Sequence, residues 1–216
     1  MKRLIATLAA AAAVCCAPAA QATTQFAALP GPDDDALRVC ALAQTAGMER
    51  ATLAESIGKV ADSAWFMFEQ VDREPNETYL QSIKQKSDNM KVDDLPAINA
   101  NAAAIVSQCA TRWPASQRSM MIVLPDNKVD RAGICLGSAA LILGMAQAAK
   151  DTELTALAQG VIAWSTPQLT PKFSGVGDEA AKTRINGALS GWIRAGHHLG
   201  NINSIVQACD ALIPRQ

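Results

Sequence analysis

The sequence predicts an all-α fold, built as two tandem disulfide-stapled helical-bundle repeats packed together. Three observations carry that prediction. Apolar residues recur at three- and four-residue steps over most of the chain. One cysteine-bearing segment occurs twice with the same residue order. No alternation of the strand type is sustained, apart from a short extended piece at Met120 to Leu124.

The chain begins Met1, Lys2, Arg3, continues through an apolar run to Ala17 and reaches Pro18 and the small-residue triplet Ala20, Gln21, Ala22. A positive start, a short apolar stretch and an Ala-x-Ala site make a secretory signal peptide, residues 1–22, with cleavage after Ala22. The run is shorter than the roughly 20 residues of a spanning helix. Cys15 and Cys16 lie inside it, but Val14 stands where a lipoprotein signal needs a small residue. Of the 216 residues, 194 remain, with 17 basic against 20 acidic side chains and a net charge of −3. No basic stripe is present, so nucleic acid is not an expected partner.

Four cysteines stay in the mature chain: Cys40, Cys109, Cys135 and Cys209. An even number in an exported chain argues for disulfides, and the expected location is periplasmic or secreted. No Cys-x-x-Cys survives cleavage, which removes a thioredoxin-like redox motif.

The repeat is clearest around the second and fourth cysteines. Asn101, Ile105, Val106, Cys109 and Pro114 recur as Asn201, Ile205, Val206, Cys209 and Pro214. The leading cysteines, each preceded by a β-branched residue, lie 69 and 74 positions before the closing ones. A duplication accounts for this and divides the chain into repeat 1 (33–114), a linker (115–130) and repeat 2 (131–214). Four cysteines allow three connectivities; independent copies would pair Cys40 with Cys109 and Cys135 with Cys209.

Taken in order, Asp33, Asp34 and Asp35 read as an N-cap with favourable first-turn charge, and a calcium site there lacks further oxygen ligands. From Leu53, the positions Ile57, Val60, Ala61, Ala64, Trp65 and Phe68 draw one helical stripe ended by Asp72 to Pro75. A further helix is expected from Glu77 to Met90, with Tyr79, Leu80 and Ile83 inward, and a closing one through Ile105, Cys109 and Trp113. Repeat 2 starts with an uncharged run from Ala132 to Ala149, bearing Gly133, Gly137 and Gly144. A spanning helix and a central helix buried on all sides compete there; Gly, Ser and Gln dilute the hydropathy, so burial is expected and stable membrane insertion is not. Asp151 caps a short helix through Leu154, Leu157 and Val161, a Pro/Gly loop follows from Thr166 to Gly177, and a helix from Asp178 to His198 leads to the last one.

The stretch from Trp65 to Pro75, followed by an amphipathic helix and Cys109, resembles small exported helical proteins of sphingomonad-type alphaproteobacteria, which have an aromatic helix end, a polar Asp/Arg/Pro turn and two cysteines. The resemblance covers residues 38–113. Repeat 2 departs from it, with Trp164 followed by Ser165, Thr166 and Pro167. It implies export and a helical fold, and it carries over no activity and no catalytic residue. Ile205 to Cys209 is also similar to the Ile-Val-Gln-Ala-Cys closing helix of small periplasmic acid-protective chaperones, although those have shorter cysteine spacing and no duplication.

Candidate chemistry is sparse. His197 and His198 are the only histidines; adjacent helical residues point about 100° apart, which disfavours joint chelation, and Gly200 beyond them suggests a place beside the last carbonyls of a helix. Histidine is also the side chain that gains charge in mildly acidic solution. Glu55 and Ser56 resemble the Glu-Ser pair of lytic transglycosylases, but the downstream motif is missing, so Glu55 reads as a solvated helix residue. No nucleophile elbow, zinc pair or phosphate loop occurs. The sequon Asn76, Glu77, Thr78 fits a surface loop. Trp65, Trp113, Trp164 and Trp192 are expected as core anchors, a pair of which could line a groove.

No catalytic residue, metal or cofactor is expected. The leading expectation is a non-enzymatic module that binds an envelope protein or peptide, in a stress or inhibitor role. An acid-protective chaperone and an enzyme with an unrecognised site are the alternatives. A pocket gathering either histidine with carboxylates from another helix would favour the enzyme.

Overall fold

The computed structural model describes residues 28–72, 82, 95–118, 121–173 and 178–214. The expected signal peptide, nearly all of the expected helix from Glu77 to Met90 and the sequon at Asn76 lie outside them. Among the described residues there are eight α-helices and no strand.

α1 spans Asp33–Gln44 and α2 spans Leu53–Asp72. The three aspartates do not cap α1: Pro32 holds that position in extended backbone, and the carboxylates fill the first turn, where the helix dipole favours them. Gly47, at φ +72°, turns the chain back after α1 through a 3₁₀ turn at Met48–Arg50. Thr52 and Glu55 then make a reciprocal capping box: Thr52 N donates to Glu55 Oε2 at 2.8 Å, and Glu55 N donates to Thr52 Oγ1 at 3.3 Å. Two short helices, α3 (Leu95–Ala100) and α4 (Ala102–Arg112), complete the first half.

The linker from Met121 to Pro125 is neither helix nor strand and leads into α5, Lys128–Ala149. Asn127 caps α5 by accepting from the backbone N–H groups of Val129 and Asp130. The helix ends where Lys150 adopts the left-handed conformation, φ 58°, and Asp151 immediately caps α6 by accepting from Leu154 N at 2.9 Å. α7 spans Asp178–Leu199 and α8 spans Ile202–Asp210.

Two expectations are corrected here. α6 is not a short helix followed by a Pro/Gly loop: it runs through Thr152–Phe173 with Pro167 and Pro171 inside it. Proline removes an N–H donor from a helix interior. Around the prolines, Ser165, Thr166, Gln168 and Thr170 each donate from the side chain to the carbonyl four residues back. Second, α5 is long and apolar enough to cross a membrane, yet half of its apolar window packs inside the fold, and Gly144, Gln147 and Ala148 are exposed. It is therefore one wall of a bundle, not a helix buried on every side.

Disulfides join Cys40 of α1 to Cys109 of α4 and Cys135 of α5 to Cys209 of α8. Each ties the first helix of a half to the last. In the chain-entropy model, loops of this length stabilise the fold by roughly 4 kcal/mol each. Glycine sets the distance between α5 and α7: a Cβ on Gly133 would sit 2.1 Å from the Trp192 indole, and one on Gly137 would sit 2.8 Å from Ile193 Cγ1.

The halves have separate apolar cores that share one helix. The first core gathers α1, α3 and α4 around Trp65 and Phe66 of α2. The second gathers α5, α6, α7 and α8, and takes in Ala61, Ala64, Phe68 and Val71, also of α2. α2 is thus the seam between the halves, which the stripe of apolar positions did not reveal.

Candidate functional site

One side of α2 carries Asp62, Glu69 and Asp72, spaced seven and three residues apart, so that all three face nearly the same way. Each meets a partner from the second half or the linker. Arg118 grips Asp62 through Nε and Nη2 at 2.7 to 2.9 Å. Gly58 makes room for that arginine, because a Cβ there would lie 2.5 Å from its Nη2. The buried Asn201 amide donates to Asp62 Oδ1 at 2.9 Å and to Ser116 O at 3.2 Å, while its own oxygen caps α8 by accepting from Asn203 N. Ser204 Oγ donates to Arg118 O, which fixes the linker to α8.

The histidines complete this seam. His197 Nε2 lies 3.0 Å from Glu69 Oε2, and His198 Nε2 lies 2.6 Å from Asp72 Oδ2. Arg194 Nε also bonds the Asp72 carboxylate. Both histidines lie in the last turn of α7, as expected; as adjacent helical residues their rings diverge and meet two different carboxylates. They also differ in exposure: the His197 side chain is 1% exposed and that of His198 is 56%. Trp65 packs against the His197 ring with centroids 4.9 Å apart, and Phe68 meets it edge-on at 6.0 Å.

Burial pushes the Asp72 carboxyl up, but hydrogen bonds from His198 and Arg194, with their positive charge, outweigh it and hold Asp72 below its ordinary value. Glu55, by contrast, is a fully exposed cap. Hydrogen bonds from the Thr52 backbone and side chain hold its carboxyl low, aided by nearby Lys59. A raised value is what a general acid needs.

Behind His197 lies a cavity of about 10 Å³, lined by Trp65, Phe68, Ser138, Ile193, Ile202 and Ile205. That is room for about one water. His197 Nδ1 makes no hydrogen bond, and the other polar side-chain groups of the lining are the Ser138 hydroxyl and the Trp65 indole N–H. Glu69, His197 and Ser138 are the residue types of a hydrolytic triad, but here the serine does not bond the ring and the space between them admits no substrate. What this arrangement can do is hold or lose protons at a packed interface. Among the described residues no group of three or more His, Cys, Asp or Glu could hold a metal ion.

The tryptophans do not share a groove. Trp65 and Trp113 flank Phe66 in the first core, Trp192 stands edge-on to Phe173 in the second, and Trp164 packs on the outside of the second. A different apolar surface is exposed instead. In the linker, Met121 and Val123 are 85% and 72% exposed, whereas the alternate residues Ile122 and Leu124 pack on the second core.

Compared with protein-family models, curated proteins and solved structures, the chain matches none.

Proposed function

We propose that the protein is an exported, non-enzymatic binding protein of the cell envelope that takes apolar, extended stretches of other polypeptides. Export rests on the order of charge, apolar run and Ala-x-Ala site in residues 1–22, with cleavage after Ala22, and two disulfides are consistent with an oxidising compartment. The observation that carries the binding reading is the linker. Ile122 and Leu124 anchor a segment that offers the alternate residues Met121 and Val123 to solvent, an apolar surface suited to an apolar stretch of another chain. Mature protein should bind immobilised apolar peptides over charged ones of equal length. Met121→Asp combined with Val123→Asp should lose that binding with the fold unchanged. Equal binding by the variant would remove the reading.

A second reading is an acid-protective chaperone. It is supported by the seam, where Asp62, Glu69 and Asp72 of α2 each meet the second half through a carboxylate. Carboxylates protonate near pH 4, so acid weakens the joint between the halves while the disulfides keep each half stapled.

A further inference from the structure

We infer that Glu69 and His197 form an acid latch, whose release parts α2 from α7 and α8 and bares Phe68 on one side and Ile193, Ile202 and Ile205 on the other as a binding surface for apolar segments of unfolded chains. The inference deepens the acid-protective reading, naming its trigger and its surface; it does not involve the exposed linker.

With the proton on Nε2, directed at Glu69, the bare Nδ1 faces the lining of Trp65, Phe68, Ser138 and three isoleucines and asks little of it. A second proton on the ring makes an imidazolium whose counterion is Glu69, so the pair stays neutral and the seam holds. Once Glu69 takes a proton as well, the cation is left in an apolar pocket with its balancing charge gone, and a buried charge without a partner is strongly disfavoured.

The charged groups around the latch make this worse in acid, not better. Among the described residues, α7 brings Arg194 and His198, both cationic at low pH, next to the ring. The linker brings Arg118, bound to Asp62 of α2. The parts of α5 and α8 that line the cavity bring Ser138, Ile202 and Ile205, none of them charged. Of the α2 carboxylates, Asp72 is held low by Arg194 and His198, so this outer clasp resists acid.

The disulfides lie within the halves, so release separates two stapled bundles without unfolding either. The predicted open form therefore keeps its helices and gains apolar surface.

The test uses the oxidised mature chain, titrated from about pH 7.5 to about pH 3, with helical circular dichroism, binding of an apolar fluorescent dye and capture of a reduced, alkylated test polypeptide followed together. Dye binding and capture should rise together near pH 4, with helicity kept. Glu69→Gln should move the rise upward by about one to two pH units, toward the range in which imidazole gains its proton. His197→Phe, which fills the site without a charge, should move it downward. Helices that persist to pH 3 with no dye binding, or a rise that neither variant moves, would overturn the latch. Dye binding that shifts as stated without capture of the polypeptide would overturn the ligand class. Peptide binding at neutral pH through Met121 and Val123 is a separate readout, so failure there and failure here can be told apart.

Discussion

The indole of Trp192 lies directly over Gly133, so close that a methyl group on the glycine would overlap the ring. α5 and α7 cross at this point because α5 offers no side chain there, and Gly137 repeats the arrangement one turn later under Ile193. A glycine costs a helix about 1 kcal/mol relative to alanine. Here the cost is offset by close packing of the second core.

Gly133→Ala should therefore destabilise the protein by about 1 to 3 kcal/mol, since overpacking outweighs the gain in helix propensity. Gly144→Ala, in the same helix but with open space around it, should be neutral or stabilise by up to about 1 kcal/mol. Thermal unfolding of the two variants checks this, and equal effects would contradict it.

Asn201 and Asn101 occupy matching places in the two halves but do different work. Asn201 is fully buried, caps α8 and bonds Asp62 and Ser116 O. Asn101 makes no side-chain cap and donates to Ala97 O one turn earlier. Asn201→Ala should cost about 2 kcal/mol or more, because it removes a cap and leaves buried groups without a partner. Asn101→Ala should cost about 1 kcal/mol or less. Urea denaturation gives both values.

Much of this fold was legible in the residues themselves. The spans between Cys40 and Cys109 and between Cys135 and Cys209 imply the half-by-half bridging, and the stripe from Ile57 to Phe68 gives α2 with its end at Asp72. The proline-bearing end of α6 was not legible, because Pro167 and Pro171 signal a break and the helix nevertheless runs on to Phe173. The seam was missed for a different reason. Its contacts join positions 56 to 139 residues apart, and local periodicity holds no information at that range. One signal was available: Asp62, Glu69 and Asp72 stand at helical spacing, each directly after an apolar residue of the stripe (Ala61, Phe68, Val71), and carboxylates beside a buried face need partners.

The pH dependence of stability follows from Asp72. Its folded-state carboxyl lies below the ordinary value, so the folded chain binds that proton less readily than the unfolded one. The resulting stabilisation is complete above about pH 4 and is lost as the pH falls through the depressed value. Asp72→Asn should lower stability at pH 7, and the gap between variant and parent should close at about pH 2. Chemical denaturation across that range would show a constant gap if the bonds from His198 and Arg194 were without effect.

The account turns on an energetic link between Glu69 and His197, one on each side of the seam. A double-mutant cycle with Glu69→Gln, His197→Gln and the pair, measured by urea denaturation at about pH 6, reads that link directly. A favourable coupling of about 1 kcal/mol or more is predicted, shrinking as the carboxylate is protonated toward about pH 3.5. Coupling near zero at both pH values would mean that the two side chains are neighbours without being a latch.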